Sequence, residues 1–224
     1  MRTIGRGLIV GLSGISLLVL TLLIQVQVVA YSVSYYQNEF AKLHLPDTLQ
    51  TDLQQLARFS RHTTRYLRGL ENDPNVLMVI WGREQLLLNQ REVAHMRDVQ
   101  LLFRVARWIS AVGLGVWIAL FIHHWRKGRL RAFFRFSAVS SCIGVLIGSF
   151  VAWLISRDFT AAFDYFHRVS FTNDLWQLNP QVDQLINLLP EQFFADAVWL
   201  AAVRSALTLV GLALLTGIGS LRRI

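Results

Sequence analysis

The 224-residue chain is long enough for one or two domains, but its composition excludes a water-soluble enzyme. Hydrophobic residues make up 54% of the chain and charged residues 16%, and the mean hydropathy is +0.41. Nine basic residues in stretches without any acid account for the net charge of +8. They are Arg2, Arg6, Arg126, Lys127, Arg129, Arg131, Arg135, Arg222 and Arg223. Because these residues flank apolar runs, their distribution follows the positive-inside rule of membrane proteins and does not indicate a nucleic-acid-binding surface.

Four apolar runs are long enough to cross a hydrocarbon core of about 30 Å as helices. They cover residues 8–30, 101–122, 136–156 and 197–221. The first is longer than a signal-peptide core, so we predict a retained helix, with Gly7 and Gly11 on its packing face. The chain is therefore predicted to be an all-α membrane protein, one polytopic domain over residues 1–224 with both termini cytoplasmic.

Two segments, 31–100 and 157–196, are then extracytoplasmic and are expected to form a small cap over the bundle. The first should fold as short helices with one extended piece, Val76 to Trp81, which could pair with residues 85–89 after a turn at Gly82. In the second, the apolar positions from Val182 to Leu189 predict an amphipathic stretch lying flat in the membrane interface.

The stretch from Arg91 to Val99, just before the second membrane helix, carries the strongest chemical pattern. On a helix Arg91, His95 and Asp98 share one stripe, and Glu92 lies about 60° to the other side of His95. A carboxylate could therefore orient the imidazole, about 9 Å above the hydrocarbon edge. The alternative is a solvated helix start that carries only local ion pairs.

His167, in the other outer segment, lies among aromatic residues at a similar height. Alone it would most simply be a packing residue, but two histidines near carboxylates could converge on one site and move protons near neutral pH. Arg204, within the fourth apolar run, is a further candidate. It could pair with Asp196 or Asp183, bind a lipid carbonyl, or reach the outer surface.

Two sequence blocks around these histidines resemble a known family. REVAHMRDV around His95 and FHRVSFTNDLW from Phe166 to Trp176, followed by DQLINLLP from Asp183, are similar to the bacterial lipoprotein intramolecular transacylase (Lit) family. The resemblance implies a multi-pass enzyme of the bacterial cell membrane. It would move the sn-2 acyl chain of a diacylglyceryl-modified lipoprotein cysteine onto that cysteine's own α-amino group, giving the N-acyl lyso-form. His95 and His167 match the family's essential histidines.

Such a reaction needs no nucleophilic serine or cysteine, because the ester and the amine belong to one molecule and have only to be held in near-attack geometry. His95, oriented by Glu92 or Asp98, could serve as the main base on the extracytoplasmic side, with His167 donating to the oxyanion or leaving oxygen. The roles could also be reversed, or an acyl-imidazole could form.

Arg91 is a candidate for stabilising the tetrahedral intermediate, and Tyr66 and Trp176 for walls of the pocket. The chain contains no G-x-S-x-G, H-E-x-x-H, glycine-rich phosphate loop or Cys-x-x-Cys motif, and we expect neither a cofactor nor a metal. The expected partners are diacylglyceryl-modified lipoproteins and membrane lipids, not nucleic acid. Two alternatives remain, a metal-dependent membrane hydrolase using both histidines and Asp98, and a non-enzymatic binding or scaffold protein.

Overall fold

The computed structural model describes residues 2–221, with side chains from residue 9 onward. Gly7 and the arginines at positions 2, 6, 222 and 223 lie outside the described side chains. The elements in chain order are α1 (Arg2–Ala30), α2 (Val33–Lys42), α3 (Leu45–Thr48), α4 (Leu53–Arg68), β1 (Leu77–Ile80), β2 (Arg83–Leu86), α5 (Gln90–Arg126), α6 (Leu130–Arg157), α7 (Phe159–Ser170), α8 (Leu185–Leu188) and α9 (Glu191–Leu221).

Among the described residues four helices, α1, α5, α6 and α9, are long and apolar enough to cross a membrane, which confirms the predicted number. They are longer than the apolar runs. The 37 residues of α5 correspond to about 55 Å, against a hydrocarbon core of about 30 Å. Because its apolar run begins only at Leu101, the first turns of α5, which carry His95, extend beyond the membrane-spanning part.

The described residues form two compact units, and one of them contains the larger part of the membrane helices, namely residues up to 26, 106–157 and from 199 onward. Within it α1 and α6 approach closely at glycine. A Cβ atom on Gly14 would come within 2.9 Å of the carbonyl oxygen of Ser140, and one on Gly144 within 3.1 Å of the carbonyl oxygen of Gly14. The prediction of a packing face at Gly11 is wrong, since a Cβ there would meet nothing within 4 Å.

The second unit comprises residues 27–105 and 158–198. In its first half, α2 and α4 begin at side-chain caps. Ser32 Oγ accepts from the backbone N–H of Tyr35, and Asp52 Oδ1 from that of Gln55. Their apolar faces meet in a buried core. Its largest fully buried side chains include Phe40, Leu49, Leu56, Phe59, Met78 and Ile80. The core fixes α4 and the following hairpin in one unit.

The predicted hairpin is present, with its second strand earlier than expected. β1 and β2 pair antiparallel in the register Leu77 to Leu86 and Ile80 to Arg83. Trp81 and Gly82 occupy the two-residue turn with φ angles of 49° and 71°, because a turn with both central residues at positive φ matches the right-handed twist of the strands. The partner is therefore residues 83–86 and not 85–89, and this small sheet departs from the all-α prediction.

The second half of this unit corrects the prediction for residues 182–189. Leu185, Leu188 and Leu189 are buried within the protein, and only Val182 is largely exposed. The leucines therefore pack into the protein core and do not lie in the membrane interface. The helical part, α8, is a single turn, and Asn187 Nδ2 donates to the carbonyl oxygens of Pro180 and Asp183 in the preceding loop.

Candidate active site

His95 and His167, which come from α5 and α7, lie next to each other inside the second unit. Their ring centroids are 6.2 Å apart and the ring planes are inclined by 33°. Both side chains are enclosed, with 6% and 8% of their surfaces exposed. The structure therefore brings together the two histidines that the sequence singled out.

The ring of His167 is fixed by one hydrogen bond and by aromatic neighbours. Its Nδ1 lies 2.7 Å from the carbonyl oxygen of Phe163, one turn earlier in α7. Because a carbonyl only accepts, Nδ1 carries the proton and Nε2 presents a lone pair when the ring is neutral. Trp176 stacks on the ring at 5.0 Å, and the ring of Phe171 lies 5.7 Å away. The imidazole is thus held in one tautomer and one orientation.

His95 is held less by hydrogen bonds than by packing. Phe171 meets its ring edge-on at 5.2 Å, and its buried Nδ1 has no hydrogen-bond partner among the described residues. Burial lowers the pKa of His95 to about 4, helped by the neighbouring His167 and opposed by Asp98. The imidazole is therefore neutral at neutral pH.

Glu92 does not make the hydrogen bond to His95 that the helical spacing suggested. Its Oε2 accepts from the backbone N–H of Asn89 at 2.8 Å, while Asn89 Oδ1 accepts from the N–H of Glu92 at 3.0 Å. This reciprocal pair is a capping box at the start of α5. The other oxygen, Oε1, accepts from the N–H of Leu185 at 2.6 Å. Burial raises the pKa of the Glu92 carboxyl, and these backbone N–H donors oppose the increase.

The loop that follows α7 is fastened to α5 at two points. Asp98 Oδ2 accepts from Asn173 Nδ2 at 2.9 Å. Arg91 Nη2 donates to the carbonyl oxygens of Asp174 and Gln177, at 2.6 and 3.0 Å. The charge of Asp98 acts on the imidazole of His95. Arg91 holds the loop that carries Trp176, whose ring stacks on His167.

Asp183 is a structural residue that sequence reasoning considered only as a partner of Arg204. It is buried, and its oxygens accept from Asn89 Nδ2 and from the backbone N–H of Asn179, each at 2.7 Å. The density of asparagine and aspartate between residues 173 and 187 was a usable signal, because these side chains order loops through local backbone hydrogen bonds.

Arg204 belongs to the other compact unit, where its side chain is exposed on α9. Both partners proposed for it bind elsewhere. Asp196 pairs with Lys42, and Asp183 holds the loop described above. No ion pair of Arg204 is found within residues 9–221.

A cavity of about 350 Å³ lies beside the histidine pair. It is lined by Arg168, Phe171, Thr172, Asn173, Asp174, Trp176 and Gln177. Two of these residues, Phe171 and Trp176, also contact the imidazoles. The part of the chain that the structure describes places no three His, Cys, Asp or Glu side chains as a metal-binding group. The ligand set of the hydrolase alternative is therefore not assembled, since the carboxylate of Asp98 is turned to Asn173.

Four membrane-spanning helices and an enclosed pair of imidazoles define an integral membrane protein with a candidate acid–base site. A family model described as "Lipoprotein intramolecular transacylase Lit" matches residues 11–194. The chain belongs to this family, and at the family level it is an acyltransferase that acts on lipoproteins.

Solved structures of the membrane integral lipoprotein intramolecular transacylase Lit from Bacillus cereus are similar to the chain. One has a TM-score of 0.73 at 20% identity, covering 97% of this chain and 94% of that chain. A variant with a histidine replaced by alanine has a TM-score of 0.74 at 18% identity, covering 97% and 96%. At these identities the likeness shows the fold. No curated protein sequence matches the chain.

Proposed function

We propose that this chain moves the sn-2 acyl chain of a diacylglyceryl-modified N-terminal cysteine onto that cysteine's own α-amino group, which leaves an N-acyl, lyso-glyceryl lipoprotein. Membership of the family supports the class of reaction. The observation that carries the proposal is the buried pair of His95 and His167, whose ring centroids lie 6.2 Å apart. Two enclosed imidazoles can handle protons without any other catalytic side chain.

The proposed site faces the extracytoplasmic side, with both termini in the cytoplasm and residues 31–100 and 157–196 outside. The connection between α5 and α6 carries Arg126, Lys127 and Arg129, and such a basic turn favours a cytoplasmic position. The first turns of α5, with His95, extend from the opposite end of the same helix. This orientation would put the imidazoles at the depth of lipid ester groups, where a lipid-anchored cysteine is held.

The proton transfers can be assigned from the hydrogen bonds of the two rings. An α-amino group has a pKa of about 8 and must be neutral to attack. Because Nδ1 of His167 donates to a carbonyl, its Nε2 is free to accept the amine proton and to return it to the departing glyceryl oxygen. His95, neutral and a weak base, would donate a hydrogen bond from its N–H to the ester. This assignment favours the reverse of the roles first suggested by the sequence.

The supporting residues would position the site and would not take part in bond breaking. Holding ester and amine in near-attack geometry can supply about 7–11 kcal/mol of the barrier. Arg91 contributes by fixing the loop that carries Trp176, since its Nη2 is already bonded to two loop carbonyls.

The proposal is tested with purified protein and a synthetic diacylglyceryl-cysteine peptide, using fragmentation in tandem mass spectrometry to distinguish the N-acyl product from the O-acyl substrate of equal mass. His95→Ala and His167→Ala should each abolish conversion while the protein still accumulates in the membrane. His44→Asn is the matched control, because His44 is exposed and asparagine tolerates its left-handed backbone, with φ of 53°. This variant should convert the peptide at the wild-type rate.

Three results would contradict the proposal or favour an alternative. A wild-type protein that forms no N-acyl product would exclude transacylation. Undiminished product from either alanine variant would remove that histidine from the mechanism. Chelator-sensitive release of free fatty acid in place of the N-acyl product would favour the metal-dependent hydrolase alternative.

A further inference from the structure

The cavity beside the histidine pair is formed by one short stretch of chain, residues 168–177, at the end of α7 and in the loop that follows. Two of its walls also contact the imidazoles. Phe171 meets the ring of His95 edge-on at 5.2 Å, and Trp176 stacks on the ring of His167 at 5.0 Å. A ligand in the cavity would therefore touch the aromatic rings that hold both histidines.

The lining of this cavity is mainly polar. Two lining residues are aromatic, and the other five carry polar or charged side chains, namely Arg168, Thr172, Asn173, Asp174 and Gln177. Tyr66, which the sequence suggested as a pocket wall together with Trp176, does not line the cavity. An acyl chain placed there would take water from these polar groups and return no hydrogen bonds, which costs free energy. The cavity is therefore suited to a polar ligand and not to the acyl chains of a lipid.

Several polar side chains of the lining have no partner within the protein. Asn173 is engaged, because its amide group is bonded to Asp98 and to the loop backbone. No hydrogen bond or ion pair of the side chains of Arg168, Asp174 or Gln177 is found in the part of the chain whose side chains are described. They supply a cation, an anion and an amide that both donates and accepts. Such a set matches the N–H and C=O groups of a peptide backbone.

We infer that this cavity binds the polypeptide part of the lipoprotein, the residues that follow the lipid-modified cysteine, an inference that rests on the proposed transacylation. The Arg168 guanidinium donates to one peptide carbonyl oxygen, and the Gln177 amide bonds to a second peptide group. Because Trp176 lines the cavity and stacks on His167, a peptide held there keeps the preceding cysteine, with its α-amino group, close to the imidazole.

The peptide is the part of the substrate that membrane phospholipids lack. Phospholipids carry the same kind of sn-2 ester and surround the protein, so contacts to the ester and the acyl chains do not discriminate between the two. Contacts to the peptide favour the lipoprotein alone. Arg168 and Gln177 thus determine specificity and take no part in the making or breaking of bonds.

The test compares two substrates of the purified protein, a short diacylglyceryl-cysteine peptide and diacylglyceryl-cysteine methyl ester, which has no residue after the cysteine. The wild type should have an apparent KM about tenfold lower for the peptide, since two additional hydrogen bonds contribute about that factor. The double variant Arg168→Met, Gln177→Leu should raise the KM for the peptide about tenfold. It should leave kcat and the KM for the methyl ester unchanged, because only binding is lost.

The matched control is the double variant Arg61→Met, Gln54→Leu. It exchanges the same residue types at exposed positions of α4 that do not line the cavity. Both KM values should stay at the wild-type level.

Each result bears either on the peptide site or on the reaction itself. A wild type with equal KM values for the two substrates overturns the peptide site and leaves transacylation intact, whereas a wild type that converts neither substrate overturns both. If the double variant at Arg168 and Gln177 raises the KM for the methyl ester as much as for the peptide, these side chains act on the lipid part and the inference is wrong. A lower kcat at unchanged KM would also overturn it.

A single variant keeps the inference testable if the double variant does not accumulate. Arg168 is exposed, so Arg168→Met should fold. It should raise the KM for the peptide about threefold, as for the loss of one hydrogen bond. An unchanged KM would exclude Arg168 as a peptide-binding residue.

Discussion

Replacing Glu92 by glutamine separates two roles for this carboxylate, orientation of His95 and connection of α5 to α8. In the structure Glu92 is fully buried, and its two oxygens accept from the backbone N–H groups of Leu185 at 2.6 Å and Asn89 at 2.8 Å. Glutamine keeps one oxygen and turns an NH₂ group toward the other donor. One charge-assisted hydrogen bond is lost, and a buried N–H is left unpaired.

The size of the effect follows from two opposing contributions. A hydrogen bond to a charged group contributes about 1.5–3 kcal/mol, and an unpaired buried donor costs about 1–3 kcal/mol. Against this, burial raises the pKa of the Glu92 carboxyl, so the ionised form bears a desolvation cost that glutamine avoids. We therefore expect Glu92→Gln to lower the free energy of unfolding by about 2–3 kcal/mol.

The assay is denaturant or thermal unfolding of the purified protein in detergent micelles, together with kcat per folded molecule. Glu84→Gln is the control, because Glu84 is exposed on β2 and should change the free energy of unfolding by less than about 0.5 kcal/mol. If Glu92 oriented His95 instead, kcat would collapse and the stability of Glu92→Gln would match the wild type. That result would refute a structural role for the Glu92 carboxylate.

Two further predictions concern acid stability and helix packing. Because the pKa of His95 is lowered from 6.5 to about 4, protonation below pH 6.5 favours unfolding. The wild type should lose about 2 kcal/mol more than His95→Gln between pH 8 and pH 5 in micelles, and equal losses would contradict a neutral buried imidazole. Gly14→Ala should lower the melting temperature, since its Cβ would lie 2.9 Å from the Ser140 carbonyl. Gly11→Ala should leave the melting temperature unchanged, because a Cβ atom at Gly11 would meet nothing within 4 Å. If both variants lowered the melting temperature equally, the α1–α6 contact would not be the cause.

The membrane helices were predictable because an apolar run of sufficient length has few other uses. The ends of these helices were not predictable, because hydropathy marks only the part of a helix that contacts lipid and not the turns that continue beyond it. α5 begins at Gln90, eleven residues before the apolar run at Leu101. The spacing of Asn89 and Glu92 is a capping-box pattern that predicts a helix start here. Glu92 was instead interpreted as a carboxylate that orients His95.

The site was predictable only in part, for a similar reason. Helical spacing correctly placed Glu92 and Asp98 on the flanks of His95, but spacing does not say what packs against a flank. In the structure Glu92 accepts from the backbone N–H of Leu185, at the start of α8, and Asp98 accepts from Asn173, in the loop after α7, and both donors are distant in sequence. The hydrogen bond that fixes His167 is local, to the carbonyl four residues earlier, and could have been anticipated from the helix alone.

The closeness of the two imidazoles restricts the proton content of the site, and this restriction fits the proposed reaction. With ring centroids 6.2 Å apart and little access to water, two imidazolium ions would repel each other. Burial is the main cause of the lowered pKa of His95, and the neighbouring His167 adds to it. The pair therefore holds at most one extra proton. Transacylation moves one proton from the amine to the glyceryl oxygen and leaves none behind, so a site limited to a single proton is returned to its starting state at every turnover.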